Sequence, residues 1–152
     1  MPVHPDRAGR LLIRPATRAD IDAFCTATGC NRSRNPTLRA WAGELADSDG
    51  PPRIVGLGGI YVAQGRWFGF IDLDEEARVY RMTIARTMKR FLDAVRKDGI
   101  RFIYAEASLE EKGAAWRLKR LGFAVDPRSQ VLYRWSAQSE PIKSQASQAG
   151  RA

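Results

Sequence analysis

The sequence predicts a mixed α/β protein, an α+β sandwich whose mostly antiparallel central sheet is flanked by helices. Three observations predict it. Strand-like runs and runs with helical apolar spacing interleave along one chain, the pattern of a layered α/β domain. Two strand-like runs, Arg53 to Ala63 and Arg66 to Leu73, meet at Gln64-Gly65, a hairpin turn that makes this part of the sheet antiparallel. Val79 to Phe123 reads as helix, strand, helix and carries the clearest periodicity in the chain.

Taken in order, residues 1–10 are polar with two prolines and read as a loose arm. Leu11-Leu12-Ile13 suits a buried strand closed by Pro15. Thr17 lies three residues before Asp20, a capping box, and Ile21, Phe24 and Cys25 follow at helical spacing. This predicts a helix from Arg18 to about Thr28, ended by Gly29. Cys30 to Pro36 is a polar loop, after which Thr37 is expected to cap a second helix through Leu38, Trp41 and Leu45. Asp47 to Pro52 breaks regular structure and reads as a surface loop.

Gly56, Gly58 and Gly59 interrupt the first strand of the hairpin, which predicts a bulge or a close backbone approach there. Asp72, Asp74, Glu75 and Glu76 cluster where the second strand should end. A helix starts near Tyr80, with Ile84, Met88, Phe91, Leu92 and Val95 on one apolar stripe, and stops at Asp98-Gly99. Ile100 to Ala107 is a strand. Glu110 to Leu121 is the last helix, with Gly122 as its left-handed stop. Val125 to Pro127 turns, and Gln130 to Trp135 is the final strand. The Ser/Gln-rich residues 137–152 lack apolar anchors and are expected to be disordered. One domain over residues 11–136 is the expected organisation.

Bulk properties bound the function. The 152 residues suffice for one self-supporting core. A net charge of +8 and a pI of about 10.1 favour polyanionic partners, nucleic acid or the phosphates of a nucleotide cofactor. The charge is spread over helices and both tails, so a solvated basic surface is the competing reading. No apolar run is long enough to span a membrane, and residues 1–10 contain no signal-peptide core. The expectation is a cytoplasmic protein without a membrane partner. Cys25 and Cys30 make neither a disulfide framework nor a zinc set, and two reduced, mostly buried thiols are expected. His4, the only histidine, lies in the arm, which leaves no Ser–His–Asp or Cys–His set. Trp67 and Trp116 are expected in the core or packed on the sheet.

The residues Leu11-Leu12-Ile13-Arg14-Pro15-Ala16-Thr17-Arg18-Ala19-Asp20, the helix Tyr80 to Gly99, the strand Ile100 to Glu106 and the ending Leu121-Gly122-Phe123 together resemble the GNAT acyltransferase superfamily. The resemblance covers Leu11 to Trp135. It implies acetyl transfer to an amine, with acetyl-CoA or another acyl-CoA as cofactor and no metal. It further implies that acetyl-CoA lies in a splay between two parallel strands, its pantetheine arm along the preceding strand near Leu73. The pyrophosphate would rest on backbone N–H groups at the start of the cofactor helix, from Arg81 through Met82 and Thr83 to Ile84. Arg78, Arg81 and Arg86 would attract the phosphates. Asp72 and Asp74, at the strand end, are the candidate bases. The other reading of both is solvated strand-end carboxylates or ion-pair partners of Arg78 and Arg81. Glu106 on the next strand is a further carboxylate, readable also as an ion-pair partner.

The chain departs from the family pattern in two places. The usual Arg/Gln-x-x-Gly-x-Gly/Ala turn falls on Val79 to Ala85, which holds no glycine. The usual Asn near the start of the last helix and Tyr four residues before its final Gly are Glu111 and Leu118. Leu118 cannot protonate a thiolate. These departures motivate a second expectation, a non-catalytic GNAT-like pseudoenzyme that binds a protein partner. Trp116 ahead of Leu121-Gly122-Phe123 resembles phage-encoded GNAT-like proteins, which implies a virion component. Nucleic-acid binding, from charge alone, is the third expectation.

Overall fold

The computed structural model describes residues 10–32, 35–46, 50–107, 113–129 and 131–137. Along them run β1 (Arg10–Pro15), α1 (Arg18–Thr28), β2 (Arg39–Ala46), β3 (Arg53–Ala63), β4 (Arg66–Leu73), a 3₁₀ helix (Glu75–Tyr80), α2 (Arg81–Lys97), β5 (Phe102–Glu106), α3 (Ala114–Arg120), β6 (Phe123–Val125) and β7 (Leu132–Ser136). The chain forms two compact units, Met1–Thr87 and Met88–Ala152. The strand pairings inside each unit are antiparallel, and helices accompany both, as the sequence predicts.

In the first unit β1, β2, β3 and β4 pair in chain order. The β3–β4 hairpin has the predicted bounds and turns through Gln64 and Gly65, both at positive φ (51° and 73°). Two left-handed residues match the right-handed twist of the flanking strands. The expected disturbance of β3 is present. The register against β2 slips between Gly43 and Glu44, which face Gly56 and Ile54, so Val55 is the extra residue of a bulge. At Gly59 the backbones come close: an added Cβ would overlap the Arg39 carbonyl oxygen and lie 2.9 Å from Ala40 Cα.

Helix α1 begins and ends as predicted. Asp20 N–H donates to Thr17 Oγ1, Thr17 N–H donates to Asp20 Oδ2, and Gly29 closes the helix in the left-handed conformation. Phe24 from α1 packs with Ala42 and Leu57 of the sheet, and Ile21, Cys30 and Phe70 border this cluster. Arg14 ties the helix start to the sheet. Its guanidinium donates to both oxygens of Asp20 (2.6 and 3.1 Å) and, through Nε, to Glu44 Oε2 (2.9 Å).

Two expectations are corrected here. Residues 39–46 form β2, not a second helix. The segment pairs on both sides, with β1 and with β3, and those ladders outweigh any local helical preference. Thr37 caps no helix: its Oγ1 accepts from Val62 N–H and donates to Asn35 Oδ1, while Asn35 Nδ2 donates to the Val62 carbonyl, holding the incoming loop to β3. Cys25 and Cys30 are joined in a disulfide rather than reduced. Gly29 turns the chain back past the last turn of α1, which brings the two Cα atoms within 4.4 Å, inside bonding range.

In the second unit β7 pairs with β5 on one side and β6 on the other. Ile103, Ala105, Ala107, Phe123, Tyr133 and Trp135 are buried. Leu92 and Val95 of the predicted α2 stripe are buried here, as Ile84 is in the first unit, and Gly99 and Gly122 take the positive φ that their stop positions require. β6 is an addition to the prediction: three residues after Gly122 pair with β7 before the chain turns at Asp126. Trp116 is 60% exposed with Arg120 over its ring, so it is not a core residue. No helix among the described residues is long and apolar enough to cross a membrane. His4 and the arm up to residue 9, Asp47–Asp49, residues 108–112 with the expected start of the last helix and Glu111, and the tail from residue 138 lie outside the described residues.

Candidate functional site

The candidate residues of the first unit lie on one continuous piece of chain, from the last residues of β4 into α2. Side chains alternate along β4, so Phe68, Phe70 and Asp72 share one face. Tyr61 of β3 stands opposite Phe68, its ring 5.8 Å from that of Phe68 and 6.0 Å from that of Phe70. Onto this face comes Arg32, from the connection between α1 and β2. Its guanidinium carbon lies 4.1 Å from the Phe70 ring centre and 5.7 Å from that of Tyr61. The edge of the same plane donates to Asp72, Nε to Oδ2 at 3.0 Å and Nη2 to Oδ1 at 3.4 Å. The arrangement combines a two-point ion pair with cation–π contact.

Asp74 has a different task. Its backbone N–H donates to the Val55 carbonyl, fixing the exit from β4 beside the bulge. Its Oδ1 accepts from Glu76 N–H (2.9 Å) and Ala77 N–H (3.1 Å), the side-chain cap of the 3₁₀ helix. Glu76 pairs with Arg53 across the start of β3. The acidic cluster noticed in the sequence is therefore a strand exit with a capped helical turn, a role visible in Asp-x-Glu spacing only once the strand end is known. The structure brings Asp72 to Arg32, not to Arg78 or Arg81, and Asp74 to backbone N–H groups.

The 3₁₀ helix runs straight into α2: Tyr80 ends one and Arg81 begins the other, already helical at φ −51° and ψ −33°. The glycine-free segment Val79–Ala85 is thus one helical stretch. Ile84 is turned into the core, while Val79, Met82, Thr83, Arg78, Arg81 and Arg86 are exposed. Among the described residues Arg78, Arg81 and Arg86 form no ion pair. Three solvent-facing guanidinium groups around a helix start suit an anionic ligand with several phosphates. Ile84 does not stand in the way of such a ligand; the Met82 side chain, 64% exposed, is the bulk it would meet. Leu73 is half-buried at the end of β4. In the second unit Glu106 is exposed at the end of β5 opposite Leu132, and Leu118 is half-buried in α3.

Arg32 is the residue that sequence reasoning missed. It sits in a polar loop with no spacing signal, forty positions from Asp72. The available hint was the alternation Phe68, Phe70, Asp72, which places rings and a carboxylate side by side and so predicts a cation, without saying which.

No family model and no curated protein matches the sequence. Solved structures do. An acetyltransferase from Agrobacterium tumefaciens str. C58 is 19% identical, matching 85% of this chain and 92% of its own with a TM-score of 0.58. The ribosomal-protein-S18-alanine N-acetyltransferase from Escherichia coli is 12% identical over 88% and 97% of the two chains, with a TM-score of 0.56. A crystal structure of AtaTR bound with AcCoA is 18% identical over 84% and 94%, with a TM-score of 0.55. At these identities the likeness establishes the architecture: the chain has the fold of the GNAT acetyltransferases. The resemblance carried by Leu11–Asp20 and Leu121-Gly122-Phe123 is a resemblance of fold.

Proposed function

We propose that the protein transfers an acyl group, acetyl in the simplest case, from an acyl-CoA to an amine. The observation that carries this reading is the stretch after β4, where Arg78, Arg81 and Arg86 stand exposed and form no ion pair among the described residues. The AcCoA-bound neighbour of the same fold supports it. When bound, acetyl-CoA supplies an acyl group on a thiolate leaving group. The chain's part is to hold the phosphates with the three guanidinium groups, since the 3₁₀ helix ahead of α2 takes up the N–H groups of Arg81, Met82, Thr83 and Ile84, and to align the pantetheine arm along Leu73. Asp72 is the better base, receiving the proton that the amine loses as its nitrogen–carbon bond forms and the carbon–sulfur bond breaks. Asp74 keeps one oxygen on its two N–H donors, so its basicity serves the cap first. Leu118 returns no proton, and the thiolate leaves unassisted by that position.

Titration calorimetry tests the reading. Acetyl-CoA is expected to bind with a micromolar Kd, and Arg81→Ala and Arg86→Ala each to weaken it about tenfold, the scale of one charge-assisted contact. No binding at millimolar acetyl-CoA overturns it.

A second reading has its own observation. Both candidate carboxylates are engaged, Asp72 by Arg32 and Asp74 by the cap, and position 118 holds a leucine. This favours a GNAT fold that binds without turning over, as a protein-partner module or a phage particle component. Turnover of any primary amine by the wild-type chain with acetyl-CoA decides against it.

A further inference from the structure

The face formed by Tyr61, Phe70 and Asp72 has the chemistry of a cation receptor. Two ring faces and a carboxylate converge on one point, and the group at that point is a guanidinium. The receptor and its occupant have different origins. Tyr61, Phe70 and Asp72 belong to β3 and β4, which are paired without interruption from Gly56↔Leu73 to Ala63↔Arg66. Arg32 comes from the connection between α1 and β2, outside the sheet, and reaches it across a sequence separation of forty residues. Both charged side chains keep contact with water, Arg32 at 28% and Asp72 at 32% exposure, so another cation can reach the carboxylate as Arg32 leaves it.

We infer that Tyr61, Phe70 and Asp72 form a binding seat for the alkylammonium group of a cationic ligand, and that Arg32 is its built-in competitor. An ammonium at this point gains the two ring faces and the Asp72 oxygens that Arg32 now holds. The proposal rests on the acyl-transfer reading only for the use made of the ligand: there the seat selects a primary amine that is protonated in water, one proton returns to water to free the nitrogen lone pair, and Asp72 takes the second as the nitrogen–carbon bond forms and the carbon–sulfur bond breaks. Neutral amides and anionic acceptors are excluded by the same groups. Occupation by Arg32 reduces the apparent affinity by the fraction of molecules in which the seat is taken.

The test uses n-butylammonium as probe and n-butanol as its neutral counterpart, followed by amide-proton NMR shifts on the intact chain without any coenzyme A. Arg32→Ala is expected to bind n-butylammonium at least tenfold more tightly than wild type, and the added change Asp72→Asn to abolish that gain. Butanol should shift nothing. Equal affinities in wild type and Arg32→Ala overturn the proposal, as does a gain that survives Asp72→Asn. Arg32→Gln, which keeps the length and loses the charge, repeats the measurement should Arg32→Ala fail to fold. If neither variant melts cooperatively, Arg32 is a structural residue and the proposal is wrong. Since no cofactor is present, failure here leaves the acetyl-CoA titration standing, and failure of that titration leaves the seat standing.

Discussion

At the scale of single residues, two positions carry consequences that ordinary assays read. The Arg14 guanidinium holds the Asp20 carboxyl well below the usual carboxylate range, chiefly through its side-chain hydrogen bonds; burial opposes this, the backbone and side chain of Thr17 add to it, and the charge of Arg14 contributes least. The value in the unfolded chain is near 4. A folded value below the unfolded one contributes stability that is present above about pH 4 and lost as pH falls through that value toward the lower, folded one. Asp20→Asn should therefore lower the melting temperature at pH 7 and flatten the acid limb of the stability curve below pH 4; an unchanged acid limb contradicts the assignment. Thr17→Ala, which removes the other half of the capping box, should cost about 1 kcal/mol in denaturant unfolding at either pH. Gly59 is the second position. Its missing side chain is required by backbone on β2, which has no rotamer to shift, so Gly59→Ala should cost about 3 kcal/mol, whereas Gly65→Ala, in open space at positive φ, should cost about 1 kcal/mol. The glycines of β3 announced a close approach in the sequence; which of the three carries it depends on the register with β2, which no local window contains.

At the scale of elements, the sequence was most legible where local signals agree. The capping box and Gly29 frame α1, and Gln64-Gly65 between two apolar runs fixes β3 and β4 to the residue. β2 was misread because its signal fits two structures. Trp41 and Leu45, four apart, share a face of a helix and also a face of a strand; Leu38 completes the helical spacing but lies outside β2. Only the two neighbouring strands decide between them. The connection before β2 is held by three devices: the cap at Gly29, the Asn35–Thr37 clamp on Val62, and the Cys25–Cys30 disulfide. Closing so short a loop in the unfolded chain corresponds to about 2 kcal/mol on chain-entropy grounds. Cys30→Ser should thus lower stability by about that amount under oxidising conditions and by far less when wild type and variant are compared in dithiothreitol. An equal difference in both solvents means that the thiol's packing against the Phe24 cluster, rather than the bond, is what the residue supplies.

At the scale of the whole molecule, fold and function separate. The fold follows from patterns distributed over the chain, which is why it could be read from sequence and recurs in solved acetyltransferases at 12% and 19% identity. The cluster at Asp72 depends on side chains whose partners lie far away in sequence, and there the reading is coarser: Asp72 stands out at a strand end, while its partner Arg32 carries no local signal. The charge of +8 poses the remaining question at this scale, whether the basic surface serves a small phosphate-bearing ligand or a nucleic acid. Exposed arginines and lysines occur on β1, α1 and the start, middle and end of α2, and again on α3, rather than in one stripe that would track a duplex. Only around the start of α2 do three arginines stand together without ion pairs among the described residues. If the surface serves a nucleic acid, the expected binding to duplex DNA is without sequence preference, with a Kd on the order of 10⁻⁴ to 10⁻⁶ M at physiological salt. Replacing Arg78, Arg81 and Arg86 together by alanine should then reduce the slope of log K against log salt for DNA by no more than about 3, one per lost phosphate contact, leaving most of the slope in place. The same triple variant should remove acetyl-CoA binding altogether. Loss of both ligands to the same degree would mean that the helix start is a nucleic-acid contact, and the assignment of these arginines to the cofactor phosphates would fall.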